Sequence, residues 1–281
     1  MRAPLLVALG VVLAAPLAAR AAVHAETVEY HDGDTVLEGY LAYDEASPNP
    51  RPGVLVVHEW KGLNDYAKRR AGQLAGLGYI ALAVDMYGKG VRAKDHDEAA
   101  KLSGMYRNDR ALMRRRILAG YEELKRQPLT DASRIAAIGY CFGGTAALEL
   151  GRSGADVLGI VTFHGGLSNP APADAANIKG QVLVLHGADD TFVPPEEVAA
   201  FEAEMRQAGA RYRLIKYPGA VHSFTVPEAG SDPSAGMAYN AEADAQSWEA
   251  MRAFLSEVLL ESELKHIGKA ASSGAPSTAI P

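Results

Sequence analysis

The chain has 281 residues, of which 48% are hydrophobic and 22% charged, with a net charge of −6. That is enough apolar material for a sizeable core, in one large domain or two small ones. The scattered, slightly acidic charge argues against nucleic acid as a partner, and the densest basic run, Arg114-Arg115-Arg116, is accounted for by the solvated face of a predicted helix.

The first residues read as an export signal. Arg2 gives a short positive region, an apolar run covers 5–18, and small residues follow. Val23-His24-Ala25 before Glu26 marks the expected cleavage site, with Ala19-Arg20-Ala21 as the alternative. The run is short for a membrane span and contains Pro16, so a cleavable segment over 1–25 and a periplasmic or secreted mature chain are expected, with no stable membrane insertion.

Thr27-Val28-Glu29-Tyr30 alternates as a strand, His31-Asp32-Gly33-Asp34 carries a turn, and 35–43 alternates again. Three prolines within 48–52 suit a loop. Gly53-Val54-Leu55-Val56-Val57-His58 is then apolar almost throughout, as expected of a strand buried on both faces. The spacing predicts a helix over 64–77, a buried strand over 79–84, and helices over 95–103 and 109–126. A strand over 134–138 runs into a tight turn and a helix reaching Gly151. Strands at 157–163 and 181–185, a helix opening near Pro195, a strand at 212–215 and a long helix over 240–265 complete the pattern. Apolar strands alternating with helices imply a single α/β domain over 26–265, with a mostly parallel central sheet and helices on both faces. Residues 266–281, rich in Ala, Ser, Gly and Pro, are expected to be a disordered tail.

The turn after 134–138 reads Gly139-Tyr140-Cys141-Phe142-Gly143-Gly144. Strand, Gly-x-Cys-x-Gly-Gly and helix form the context of a nucleophile elbow, with Cys in place of the usual Ser. Gly139 and Gly143 flank the thiol at the spacing that relieves clashes in a sharp turn. A lone cysteine is ordinarily a small buried hydrophobe. Here Cys141 is the only cysteine, has no disulfide partner, and sits in the elbow, so it is the candidate nucleophile.

A thiol nucleophile needs a base, and the base needs an orienting group. Leu185-His186-Gly187-Ala188-Asp189-Asp190 and Tyr217-Pro218-Gly219-Ala220-Val221-His222 each follow a predicted strand. Cys141, Asp190 and His222 therefore occur in nucleophile–acid–histidine order. The alternative for either aspartate is a turn or cap, and for His222 a plain loop residue. His58-Glu59-Trp60 follows the first buried strand, and the backbone N–H groups of Trp60 and Phe142 are the candidate oxyanion-hole donors. Glu59 could take the thiol proton or compete with His222 for it, its plainer reading being a solvent-facing loop acid. His58, His164 and His186 end or follow strands and are assigned supporting or packing roles. No pair of histidines has metal-ligand spacing, so neither metal nor cofactor is expected.

Val57-His58-Glu59-Trp60-x-Gly62-Leu63-Asn64, Asp85-Met86-Tyr87-Gly88, Gly139-Tyr140-Cys141-Phe142-Gly143-Gly144, Asp190-Thr191-Phe192-Val193-Pro194 and His222-Ser223-Phe224 together resemble the dienelactone hydrolase family of α/β-hydrolases, over about 27–262. The resemblance implies an α/β-hydrolase domain and a Cys141–His222–Asp190 triad. It selects Asp190 over Asp189, because the family's acid stands two residues before Phe-Val-Pro, and it makes Glu59 an extra carboxylate that helps to generate the thiolate. Tyr87 and Phe224 are candidate substrate-pocket walls, with core packing as their alternative. The chain departs from dienelactone-cleaving members by carrying Val226 four residues after His222, where they carry an arginine that clamps the substrate carboxylate. The expected function is hydrolysis of small esters or lactones through an acyl-enzyme. The rival reading is a non-catalytic exported ligand-binding or redox-sensing protein on the same fold.

Overall fold

The computed structural model describes residues 22–273, with side chains described up to residue 259. The expected export signal therefore lies outside the described residues up to 21, as does 274–281 of the expected tail.

Strands β1 (Val23–Asp32) and β2 (Thr35–Asp44) form an antiparallel hairpin whose two-residue turn contains Gly33 at φ 58°. β1 starts upstream of the expected Ala25–Glu26 junction: Val23, His24 and Ala25 pair with Asp44, Tyr43 and Ala42. Cleavage after Ala21 would leave this strand whole.

The rest of the sheet comprises β3 (Arg51–Val57), β4 (Ile80–Val84), β5 (Thr130–Tyr140), β6 (Gly159–Phe163), β7 (Gln181–Gly187) and β8 (Tyr212–Tyr217). The spatial order is β1-β2-β4-β3-β5-β6-β7-β8. β2 joins β4 antiparallel, and all pairings from β4 to β8 are parallel. A mostly parallel sheet is thus present, as the buried apolar runs required.

Helices α1 (Asp65–Ala75) and α6 (Ala241–Ser273) cover one face. α3 (Arg110–Arg126), α4 (Phe142–Arg152) and α5 (Pro195–Ala208) cover the other. β3 shows why its sequence does not alternate. Val54 and Val56 enter the α1/α6 core with Leu74 and Phe254, while Leu55 and Val57 enter the opposite core with Ile117 and Phe142. Both faces exclude water, so every position from Val54 to Val57 is apolar.

Caps set the helix boundaries. Asn64 accepts from the Ala67 N–H at the start of α1. Asp95 caps α2 (His96–Asn108), which runs five residues past its expected end to the next cap, Asp109, which opens α3. The long C-terminal helix also exceeds its expected end. α6 continues to Ser273, so 266–273 is helical rather than disordered. The Ala- and Lys-containing sequence there propagates a helix already nucleated upstream.

Candidate active site

Because β3, β5, β7 and β8 run parallel, their carboxyl ends meet at one edge of the sheet. Cys141 follows β5 there, with φ 52° and ψ −116°, a backbone conformation that costs an L-residue about 1–3 kcal/mol. Glycines make it attainable. A Cβ on Gly139 would lie 1.9 Å from the Gly143 carbonyl oxygen, and one on Gly143 would lie 2.3 Å from that of Val57. The Cys141 N–H donates to the Phe163 carbonyl at 3.0 Å, tying the turn to β6. Phe142 opens α4, so its N–H has no carbonyl one turn back in the helix.

His222 lies after β8 and is buried. Its Nδ1–H donates to Asp190 Oδ2 at 2.8 Å, leaving Nε2 for the thiol. The other Asp190 oxygen accepts from the Phe192 and Val193 N–H groups at 2.9 and 3.3 Å. Asp189 points to solvent, so the geometry uses Asp190. Burial opposes a charge on His222, but negative charge on Cys141 and the hydrogen bonds that the ring makes to Asp190 and Cys141 outweigh it and raise the imidazole pKa to about 10. The His222 backbone is also clamped. Its N–H donates to the Gly236 carbonyl, and its carbonyl accepts from the Ala238 N–H, both at 3.1 Å.

Glu59 is buried, and its Oε1 accepts from the Ser223 hydroxyl at 3.4 Å. Burial raises its pKa to about 7, opposed by His222 and by the Ser223 hydrogen bond. It is therefore not a solvent-facing loop acid. His58 fixes the Glu59 backbone. Its Nε2 accepts from the Met86 N–H at 3.2 Å, so the proton is on Nδ1, which donates to the Glu59 carbonyl at 2.5 Å. The Trp60 N–H donates to no carbonyl among the described residues, whereas its carbonyl accepts from the Tyr87 hydroxyl at 2.9 Å.

A buried chain of polar groups backs His222. Arg70 Nε donates to the Tyr66 hydroxyl at 3.2 Å, Tyr66 meets the Thr225 hydroxyl at 2.6 Å, and Thr225 meets His164 Nε2 at 2.8 Å. Arginine cannot accept, so Tyr66 is free to donate to Thr225 and Thr225 to His164 Nε2, which puts the ring proton on Nδ1, a buried atom with no hydrogen-bond partner among the described residues. His164 is then neutral, as its burial also dictates, and its ring packs edge-on against His222 at 5.2 Å.

Two cavities open at this edge. The first, about 350 Å³, contains Cys141 and His222 and is walled by Trp60, Thr145, Phe192, Val193 and Met237, with Arg107 and Arg110 at one side. The second, about 650 Å³, contains Glu59 and Ser223. Tyr87 and Phe224 line neither cavity. Tyr87 packs on His58, Tyr106 and Phe142 beneath the Trp60 loop, and Phe224 is wholly buried beside His164 and Tyr217. Their alternative reading as packing residues therefore replaces their assignment as substrate walls, because both rings satisfy the core first. Of the residues that do form the walls, Thr145 and Val193 lie in or beside the sequence motifs, whereas Arg110 and Met237 carry no local signal. Among the described residues, no group of three His, Cys, Asp or Glu side chains could hold a metal ion, and no helix is long and apolar enough to cross a membrane.

Comparison with known proteins agrees with this architecture. Residues 37–259 match the model of the dienelactone hydrolase family. The crystal structure of the dienelactone hydrolase-like promiscuous phosphotriesterase P91, from metagenomic libraries, is 45% identical, with a TM-score of 0.80 over 84% of this chain and 98% of that one. A structure titled m3DLH is 44% identical, with a TM-score of 0.82 over 85% of this chain and 99% of the other. Protein usf of Aquifex pyrophilus is 28% identical over 203 residues, 71% of this chain and 86% of that protein. The chain belongs to the dienelactone hydrolase family and, with its α/β-hydrolase fold, is a carboxylic ester hydrolase.

Proposed function

We propose that the protein hydrolyses small esters or lactones with Cys141 as nucleophile, through a thioester acyl-enzyme. The observation that carries this reading is the hydrogen-bonded Asp190–His222 pair facing a buried thiol on a strained elbow. A free thiol, with a pKa of about 8.5, is only a few per cent ionised at neutral pH. The two groups support each other's charge: an anionic Cys141 sulfur raises the His222 imidazole, and an imidazolium beside it favours the thiolate.

In this mechanism the Cys141 sulfur attacks the carbonyl carbon, and charge develops on the carbonyl oxygen. The N–H groups of Phe142 and Trp60 stabilise that charge. His222 gives its proton to the leaving alkoxide, then takes one from water as the water attacks the thioester. Glu59, with its carboxyl raised to about 7, receives the thiol proton when substrate enters. Arg107 and Arg110 bring two cationic groups to the reaction cavity, with the Glu197 carboxylate in the same lining. The mature chain works in the periplasm or outside the cell, in keeping with its N-terminal apolar run.

The test is turnover of a panel of aryl esters, lactones and one phosphotriester by the chain and by Cys141→Ala. Turnover of esters that falls about 10⁴-fold or more in the variant supports a cysteine hydrolase. Equal turnover in both assigns the chemistry to another residue. Stoichiometric binding without product release favours the carrier or redox-sensing reading. Phosphotriester cleavage would extend the resemblance to P91 from structure to activity.

A further inference from the structure

The two cavities adjoin, with two lining residues in common, Trp60 and Met237. The nucleophile and its base line only the first, whereas Glu59 and Ser223 line only the second. Hydrogen bonds to the main chain hold the border between them in place. Met237 lies between Gly236 and Ala238, the two residues that clamp the His222 backbone, and the Trp60 carbonyl is pinned by Tyr87. His222 therefore sits at the border: its side chain faces the first cavity and its neighbour Ser223 the second.

The second cavity is also chemically different. Lys61, Asn64, Asp65, His96, Ser223 and Glu228 contribute groups of both charge signs and neutral donors and acceptors. The side chains of Lys61, Asp65 and His96 have no hydrogen-bond or ion-pair partner among the described residues. Mixed signs favour neither an anion nor a cation. A neutral group bearing several hydroxyls can donate to the carboxylates and accept from the ammonium, and so fits the lining.

We infer that the second cavity is the alcohol subsite, built for a hydroxyl-rich alcohol, and that polyols therefore act as acyl acceptors in competition with water. The inference rests on the thioester reading above. A bound ester leaves its carbonyl carbon in two directions. The acyl part stays in the cavity of Cys141, and the alkoxy oxygen must lie at His222, from which the border leads past Met237 to Ser223. By microscopic reversibility, the place that releases the alcohol also receives one. In the transfer step the acceptor oxygen forms a bond to the acyl carbon, and the carbon–sulfur bond to Cys141 breaks. The acceptor hydroxyl proton moves to His222 Nε2, which restores the thiolate–imidazolium pair.

The full chain would be given 4-nitrophenyl acetate with glycerol, 1,2-propanediol or 1-propanol at equal concentration. Acetic acid and the acetyl ester of each alcohol would be quantified. Glycerol is expected to capture about tenfold more acyl groups than 1-propanol, with the diol between them, at about fivefold per added hydrogen bond or less. Ala235, exposed on a short turn, lines only the second cavity, and Ala235→Trp fills that cavity from its rim. The variant should bring the glycerol and propanol captures to within about twofold of each other. The readout is a product ratio, so it does not depend on how much total activity the variant keeps. Equal capture of the three alcohols by the unaltered chain overturns the inference, as does a glycerol preference that Ala235→Trp leaves intact. Failure to cleave the aryl ester without any alcohol, or cleavage that survives Cys141→Ala, overturns the thioester reading itself.

Discussion

Cys141 and Ser223 both have φ in the left-handed half of the map, 52° and 58°, yet the segments that carry them are restrained by different means. The elbow is held by backbone packed against backbone. Gly139, Gly143 and the β3 carbonyls approach too closely for any side chain to intervene. The His222 loop, beyond its main-chain bonds to Gly236 and Ala238, is held by side chains from distant parts of the chain: Asp190, Tyr66, Arg70 and His164. The first restraint has no intermediate states, because a Cβ either fits or does not. The second is a set of hydrogen bonds that can be weakened one at a time. Substitutions in the elbow should therefore act on folding, and substitutions in the loop should act in graded fashion on rate.

Gly139→Ala gives the largest expected effect. With 1.9 Å between the new Cβ and a main-chain oxygen, β5 or α4 must move. Losses of about 4 kcal/mol or more are expected, a large share of the stability of a typical domain. Urea unfolding followed by circular dichroism measures this, and a variant within about 1 kcal/mol of the parent would show that the elbow yields more readily than its contacts imply.

On the loop side, Asp190→Asn keeps the size of the side chain but loses the charge that holds His222 Nδ1 protonated. A 10³- to 10⁴-fold fall in kcat is expected, on the order of the loss when a triad histidine is given the wrong tautomer. The fold should persist, because the Phe192 and Val193 N–H groups can still donate to the amide oxygen. Steady-state kinetics beside a thermal melt separates the two. Loss of folding in step with loss of rate would place Asp190 with the elbow glycines instead.

The same contrast decides what was legible in the sequence. Gly139, Cys141 and Gly143 lie within five residues of one another, so the elbow could be read locally. The parallel sheet was legible for a similar reason, since Val54 to Val57 each report burial on their own. Asp190 and His222 each follow a strand, which was enough to expect them at the sheet edge where the structure has them. The role of Tyr87 was not legible, because a tyrosine after a strand reads alike whether its ring lines a cavity or, as here, props the Trp60 carbonyl. Nor was Met237, whose place at the wall depends on a bridge to His222 that sequence spacing does not reveal. The chain of Arg70, Tyr66, Thr225 and His164 joins residues up to 159 positions apart and has no local signature at all.

Glu59 connects the two regions, and its substitution should be smaller in effect and dependent on pH. Its pKa is raised from 4.5 to about 7, so the folded chain favours its neutral form. The associated stability is full below pH 4.5 and is lost as pH rises through about 7. Glu59→Gln removes that loss, and the variant should resist urea better than the parent at pH 8 but not at pH 4. Activity should move the other way. If the carboxylate takes the thiol proton, kcat/KM of the parent rises through about pH 7, and Glu59→Gln costs about 100-fold at pH 8. At pH 5.5 the parent is itself mostly protonated at Glu59, and the two chains should converge. A constant ratio across this range would mean that the charge of Glu59 is not used.

The smallest effect probes the loop's support rather than its reacting groups. Thr225→Val keeps the shape of the side chain and removes the hydroxyl that links Tyr66 to His164. Two buried polar groups lose a partner, at a cost of about 1–3 kcal/mol each. The Arg70 guanidinium still donates to the Thr225 backbone carbonyl at 3.0 Å, so the loop should loosen without detaching. A fall of about fivefold in kcat is expected, with KM nearly unchanged, because the misplaced group is the imidazole and not the cavity wall. Thr225→Ser restores the oxygen and should restore the rate, which a purely packing role for the lost methyl would not allow. If valine matches threonine in rate and serine does not, the loop is held by packing as the elbow is, and the contrast between the two regions fails at this residue.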